Sequence, residues 1–187
     1  IGGYDVNTST IYYSKLNTDG SLGSWSTNAN SLPAERTSHS SVISNGYVYV
    51  IGGAVVSTIY YAKLNADGST GSWSTNANAL PIALTYHSSI VTNGYVYVIG
   101  GWDSNVTAQT AIYYARLNAN GSTGTWSTNA TALSGGRMTH TSVVANGYVY
   151  VIGGDSTGYG NTQSTVYYAS AARLRLAGVL DLMGLSG

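Results

Sequence analysis

The chain has 187 residues, seven basic and seven acidic, and only 7% of its side chains are charged, far below the usual quarter of a globular protein. That length suffices for one domain with a real core, and the lack of any basic patch argues against nucleic acid as a partner. The absence of Cys removes disulfides, thiolate nucleophiles and Cys-ligated metals, and no run of 18 apolar residues is present to span a membrane.

Polarity comes instead from Ser, Thr, Asn and Gly, and seventeen Tyr and four Trp sit beside no Phe. This mix points to a secreted or cell-surface β-protein. The chain opens without Met on Ile1-Gly2-Gly3. These three residues are the tail of a motif, Asn-Gly-Tyr-Val-Tyr-Val-Ile-Gly-Gly, that recurs identically at 45–53, 93–101 and 146–154. The sequence therefore reads as a segment of something longer. Each copy reads as turn, strand, stop. Asn-Gly suits a type I′ turn, which needs φ > 0 at both central residues. Tyr-Val-Tyr-Val-Ile suits a strand buried on both faces. The Gly pair permits unusual backbone angles and close approach of another segment.

Other marks keep the phase of the Ile-Gly-Gly ends at 1–3, 51–53, 99–101 and 152–154. Tyr pairs fall at 12–13, 60–61, 113–114 and 167–168. Trp25, Trp73 and Trp126 each follow the second Tyr by twelve residues, and His39, His87 and His140 each follow the Trp by fourteen. In the unit 85–128 four strands are expected. Strand a covers Thr85–Val91, and b runs from Tyr95 to Ile99 and stops at Gly100-Gly101. Strand c is Ala111–Leu117, and d lies around Thr125–Thr128. Regular turn signals and no competing period of 3.6 make the chain all-β.

Four strands per ~50 residues is the signature of propeller blades. The order Tyr-Tyr, Leu, Gly-x-Trp, Leu-Pro, His, Tyr-Val-Ile-Gly-Gly, most complete over 60–101, resembles the Kelch repeat. Arg36 and Arg137 stand where Kelch repeats often carry Arg, and Leu84 departs from that pattern. The resemblance covers roughly residues 1–170 and implies a β-propeller of four-stranded antiparallel blades, about three blades plus a partial one. The segment 171–187 is then a divergent outer strand or the exit to a further domain. The chain begins on a c–d pair and ends on an a–b pair with a c-like strand at 165–169. A closed ring, usually of 4–8 blades, therefore needs further repeats or a second copy whose N-terminal c–d pair completes the C-terminal a–b pair. A homo-oligomer, or a longer chain that completes the ring, is expected.

The repeated Trp and His are read as structural, together with Gly52, Gly53, Gly100, Gly101, Gly153 and Gly154. A Trp on an outer strand covers the gap between blades. Three equivalent His on different blades do not converge on a point ~2.1 Å from each nitrogen, as zinc requires. No metal and no cofactor are expected. Four Asn-x-Ser/Thr matches, beginning at Asn7, Asn105, Asn120 and Asn129, arise readily by chance in so Asn-rich a chain. No nucleophile elbow, Walker loop or His-Glu-x-x-His is present, and Glu35 is the lone Glu. The chain reads as no enzyme. Copper oxidases of Kelch type resemble it in blade pattern but use a Cys-crosslinked Tyr.

Length variation falls on one loop, between the Gly pair and the Tyr pair. In an up-and-down blade these b–c loops share a rim with the d–a loops, and variable loops on a rigid scaffold are where binding resides. The candidate binding residues are Tyr4, Asp5, Asn7, Trp102, Asp103, Asn105, Gln109, Asp155, Tyr159, Asn161 and Gln163. They would hold a protein or glycan. The alternatives are a fragment of an oxidase or sugar isomerase with its active residues on absent repeats, and a structural stalk element. Asp5, Asp103 and Asp155, just after the Gly pairs, are read first as closing Asx-turns.

Overall fold

The computed structural model describes residues 8–158 and 160–171. Tyr4, Asp5, Asn7, Tyr159 and the 172–187 part of the C-terminal segment lie outside them. The described residues contain thirteen strands and no helix. They form a two-stranded pair, β1 (Tyr12–Tyr13) and β2 (Ser26–Thr27), then two four-stranded antiparallel sheets and one three-stranded sheet. The second sheet is β3 (Ser40–Ser44), β4 (Tyr47–Ile51), β5 (Ile59–Lys63) and β6 (Ser74–Thr75). The third is β7 (Ser88–Thr92), β8 (Tyr95–Ile99), β9 (Ile112–Arg116) and β10 (Ser127–Thr128), and the last is β11 (Thr141–Ala145), β12 (Tyr148–Ile152) and β13 (Val166–Ser170). Strands follow one another in each sheet, so every unit is an up-and-down β-propeller blade.

The turn chemistry is as expected. Asn45, Asn93 and Asn146 have φ of 51°, 54° and 50°, and the following glycines 75°, 77° and 76°, which is the type I′ hairpin. Val96 to Ile99 on β8 are essentially inaccessible, so this strand is indeed buried on both faces. Each b strand sits between a and c, with Tyr97 opposite Ile90 and Tyr114. Within each blade three tyrosines cluster, such as Tyr95, Tyr97 and Tyr114, with Tyr97 and Tyr114 stacked 5.9 Å apart. Strand a starts three residues later than the sequence suggests, at Ser88. The reason is Tyr86, whose φ of 56° is left-handed and breaks the strand.

Inner strands β3, β7 and β11 are adjacent across blades. Ser40 Oγ lies 2.5 Å from Ser89 Oγ, and Ser88 Oγ lies 2.5 Å from Ser142 Oγ and 2.7 Å from His140 Nε2. The Gly pairs explain the tight packing here. A Cβ on Gly101 would stand 2.7 Å from Cβ of His87 in its own blade, and one on Gly100 would stand 2.5 Å from the Arg137 carbonyl and 3.1 Å from His140 in the next. The Gly52-Gly53 and Gly100-Gly101 pairs thus pack the second residue on its own blade and the first on the neighbour. Burial holds His87 down to about 3 and His140 to about 4, with repulsion from a neighbouring His and from Arg137 as lesser causes. Both imidazoles are neutral packing elements.

The outer strands close the gaps. Trp126 sits in a cage of Ile59, Leu80, Val98 and Tyr113. Its indole N–H donates to the Asn78 carbonyl of the preceding blade at 3.1 Å. Trp73 repeats this with Ile11, Leu32, Val50 and Tyr60, donating to Asn30 O at 3.2 Å. Buried Arg137 stacks on the Tyr167 ring, 4.8 Å from its centroid, and Arg36 does the same on Tyr60.

Candidate functional rim

The b–c loops and the segments entering strand a are stitched together on one rim, as isolated bridges pair Thr85 with Trp102 and Met138 with Asp155. The opposite rim carries the a–b and c–d turns, joined by bonds such as Leu117 N–H to Gly94 O at 2.9 Å. The variable loops therefore do share one face.

Most of their polar groups are committed to the loops themselves. The Asp103 carboxylate is buried. Its Oδ1 accepts from the backbone N–H groups of Asn105 and Thr107 at 3.0 Å each, and its Oδ2 accepts from Gln109 Nε2 at 3.0 Å and Asn105 Nδ2 at 3.4 Å. Asp155 Oδ1 accepts from Thr157 and Gly158 N–H at 2.8 and 2.9 Å, which holds its carboxyl below the usual range. Asn161 Nδ2 donates to Ser156 Oγ at 3.0 Å, and Gln163 Nε2 donates to Asn161 O at 3.0 Å. These carboxylates and amides fix loop shape, as Asx-turn residues do. Among the described residues no three His, Cys, Asp or Glu side chains are placed to share a metal ion.

What the loops present outward is a recess of mixed aromatic, apolar and polar character, lined by Tyr86, Trp102, Val106, Met138, Thr139, Asp155 and Gly158. Trp102 is held at both backbone groups, its N–H donating to Thr85 O at 2.7 Å and its carbonyl accepting from Thr85 N–H at 2.9 Å. Its ring packs so closely under the 155–158 turn that a Cβ on Gly158 would stand 2.8 Å from Cζ3. Val106, a β-branched residue at φ 62°, is 60% exposed, and Tyr86 at φ 56° is 38% exposed.

Tyr86 and Thr139 are residues the sequence reading passed over. They are equivalent to Ser38, and all three are left-handed, at 56°, 52° and 52°. Tyr86 N–H donates to Ser38 O and Thr139 N–H to Tyr86 O, each at 2.9 Å, so a backbone chain runs from blade to blade along the inner rim. Such strain in non-glycine residues costs of order 1 kcal/mol or more each and gathers at functional sites. The sequence held one sign of it: the residue before each repeated His changes from Ser to Tyr to Thr while its neighbours keep their phase.

Blades of this topology, carrying a preformed recess on the loop rim, define the chain as part of a β-propeller. It belongs to the family of the DUF6242 beta propeller domain, whose model matches residues 19–113, just over half of the chain. Among solved structures it is similar to the one titled "Structure of YjhT", with a TM-score of 0.58 and 24% identity over 67% of this chain and 35% of that one. That likeness is one of fold, and the chain spans about a third of that structure's length. No curated protein matches the chain.

Proposed function

We propose that the chain is a non-enzymatic binding module of Kelch type, secreted or carried on a cell surface, which holds a glycan or protein loop on its b–c rim. The observation that carries this is the recess itself. It sets the Tyr86 and Trp102 rings and Val106 beside the polar Thr139 and Asp155, its backbone is strained at Tyr86, Val106 and Thr139, and Asp155 Oδ1 is already bonded into its loop. A site built this way is preorganised, so little ordering cost falls on binding. The Trp102 and Tyr86 rings offer a face for a sugar ring or an apolar side chain, with few fixed polar groups to orient it. The weakly charged composition fits recognition by stacking and hydrogen bonding rather than by charge steering.

The test is a glycan array and a partner screen with the 187-residue chain, repeated with Tyr86→Ala plus Val106→Ala. Both side chains are substantially exposed, so the pair leaves the fold in place. The affinity of a captured ligand should fall at least tenfold. An affinity within a factor of two of the parent removes the rim assignment.

A further inference from the structure

The recess on the loop rim lies between two adjacent blades, with Tyr86, Trp102 and Val106 from one and Thr139, Asp155 and Gly158 from the next. Among the described residues its lining holds two aromatic rings and one carboxylate, and no amide, Lys, Arg or His. The carboxylate is that of Asp155. Backbone N–H donors, those of Thr157 and Gly158 first, hold its carboxyl below the usual range, and no cation contributes. A second carboxylate, on Asp103, directly follows Trp102 and is bonded by neutral groups of its own loop. The bases that adjoin the lining in sequence do not offset this charge. His87 and His140 stay uncharged, since burial holds them down to about 3 and about 4. Arg137 is committed elsewhere, donating to Thr165 Oγ1 and Tyr167 Oη at 2.7 Å each and stacking on the Tyr167 ring.

Uncompensated negative charge beside aromatic rings selects a cation. The face of an aromatic ring is negative and attracts a cation within about 6 Å of its centre, Trp most strongly, and a carboxylate accepts charge-assisted bonds from the same group. A sugar instead needs several placed polar groups to orient it. Here the Gln109 and Asn161 amides are spent inside their loops, and the Thr139 hydroxyl donates to Met138 O at 2.7 Å. Of the two cationic side chains, Arg suits the site better than Lys. Its planar guanidinium stacks on a ring while its edge N–H groups reach a carboxylate, and it sheds water more readily than an ammonium. The chain builds the stacked half of this contact twice for itself, with Arg36 and Arg137 at 4.7 and 4.8 Å from the ring centroids of Tyr60 and Tyr167.

We propose that the rim holds a protein loop by an arginine side chain, whose guanidinium lies against the Tyr86 and Trp102 rings and bonds to the Asp155 carboxylate. This rests on reading the rim as a binding surface, and it names the occupant. Val106, exposed at the lip, packs against the aliphatic stem of that arginine, as long cationic side chains lay their stems on apolar surface. The attraction is one of contact. With seven basic and seven acidic residues in the chain, no long-range field steers the partner.

The test titrates the 187-residue chain with acetyl-Gly-Arg-Gly-amide and with the same peptide carrying citrulline, the neutral isostere of arginine, following the Trp102 indole N–H resonance by NMR. The arginine peptide should bind at least roughly fivefold more tightly than the citrulline peptide. Asp155→Asn keeps an Oδ1 acceptor for the Thr157 and Gly158 N–H groups and removes only the charge, so it should abolish most of that preference. Equal affinity for the two peptides, with both weakened by Tyr86→Ala plus Val106→Ala, overturns this inference and leaves the rim reading standing. An arginine preference that Asp155→Asn leaves intact but the rim pair removes does the same. Arginine binding that neither change affects lies elsewhere and overturns both readings. No shift of Trp102 with either peptide overturns the inference, and a neutral glycan captured on the array and lost with the rim pair would then name the occupant instead.

Discussion

A single methyl group distinguishes the glycines of this repeat by their place in the ring. Gly100 and Gly153 are equivalent, with φ of 56° and 65°. An added Cβ at Gly100 would collide with the Arg137 carbonyl and the His140 ring of the next blade, while at Gly153 it would meet, among the described residues, only Gln163 O, at 3.4 Å. Left-handed backbone penalises both replacements by about 1–2 kcal/mol, and overpacking adds about 1–3 kcal/mol at Gly100 alone. Gly100→Ala should therefore destabilise by roughly 3 kcal/mol and Gly153→Ala by about 1 kcal/mol, as read from urea unfolding midpoints. Equal losses would mean that the interface between blades is not as close as the structure places it.

The buried imidazoles give a second residue-scale expectation. The folded values of His87 and His140, about 3 and about 4, lie below the ordinary 6.5 of the unfolded chain. Between these limits the unfolded state binds more protons, so stability rises with pH. Both contributions are fully present above pH 6.5 and fade as the pH falls toward 4. Going from pH 7 to pH 5 should cost about 2 kcal/mol for each of these two histidines, which together should lower Tm by roughly 10 °C. His39 is held down by burial to about 4 in the same way, so His87→Gln should flatten about a third of that slope, and an unaltered slope would show that His87 is protonated while folded.

At the scale of the element, the strands were legible because short-range chemistry decides them. Asn-Gly sets each hairpin, β-branched and aromatic runs set each b strand, and the repeat carries one blade's reading to the next. The His and Trp phases were legible for the same reason, and His87, His140, Trp73 and Trp126 are packing contacts, while Trp25 is exposed. The start of strand a was not, because the left-handed turn at Ser38, Tyr86 and Thr139 is imposed by backbone bonds to neighbouring blades, which no local propensity records. The geometry of the loops was half legible. Loop-length variation picked out the face on which the b–c loops lie, but Asp103 and Gln109, singled out there as polar groups, bond to each other within their loop, and Tyr86, Val106 and Thr139 line the recess beside them. Trp126 allows a direct check on the outer strand. Trp126→Ala empties its cage and should cost about 3–5 kcal/mol, whereas Trp126→Phe keeps most of the packing and loses the bond to Asn78 O, at about 1 kcal/mol. Thermal unfolding that ranks the two variants alike would mean the cage does not hold the ring.

For the whole molecule, stability in a repeat array is close to a sum of blade terms and nearest-neighbour interface terms. Among the described residues the central sheet, β7 to β10, has a neighbour on each side, while the last sheet has one. Burial follows this: β8 is buried along four of its five residues, whereas β12 alternates between buried and open and β11 is largely exposed. The two strands have the same sequence, Tyr-Val-Tyr-Val-Ile, so intrinsic propensity cancels between them and only position differs. Local opening should then reach β12 at lower free energy than β8. Native-state hydrogen exchange at a concentration where the chain is a single copy should show amides of Val149–Ile152 exchanging at least roughly tenfold faster than those of Val96–Ile99, a difference of about 1.4 kcal/mol. Equal protection in the single copy would mean that each blade holds itself together and that the interfaces between blades contribute little.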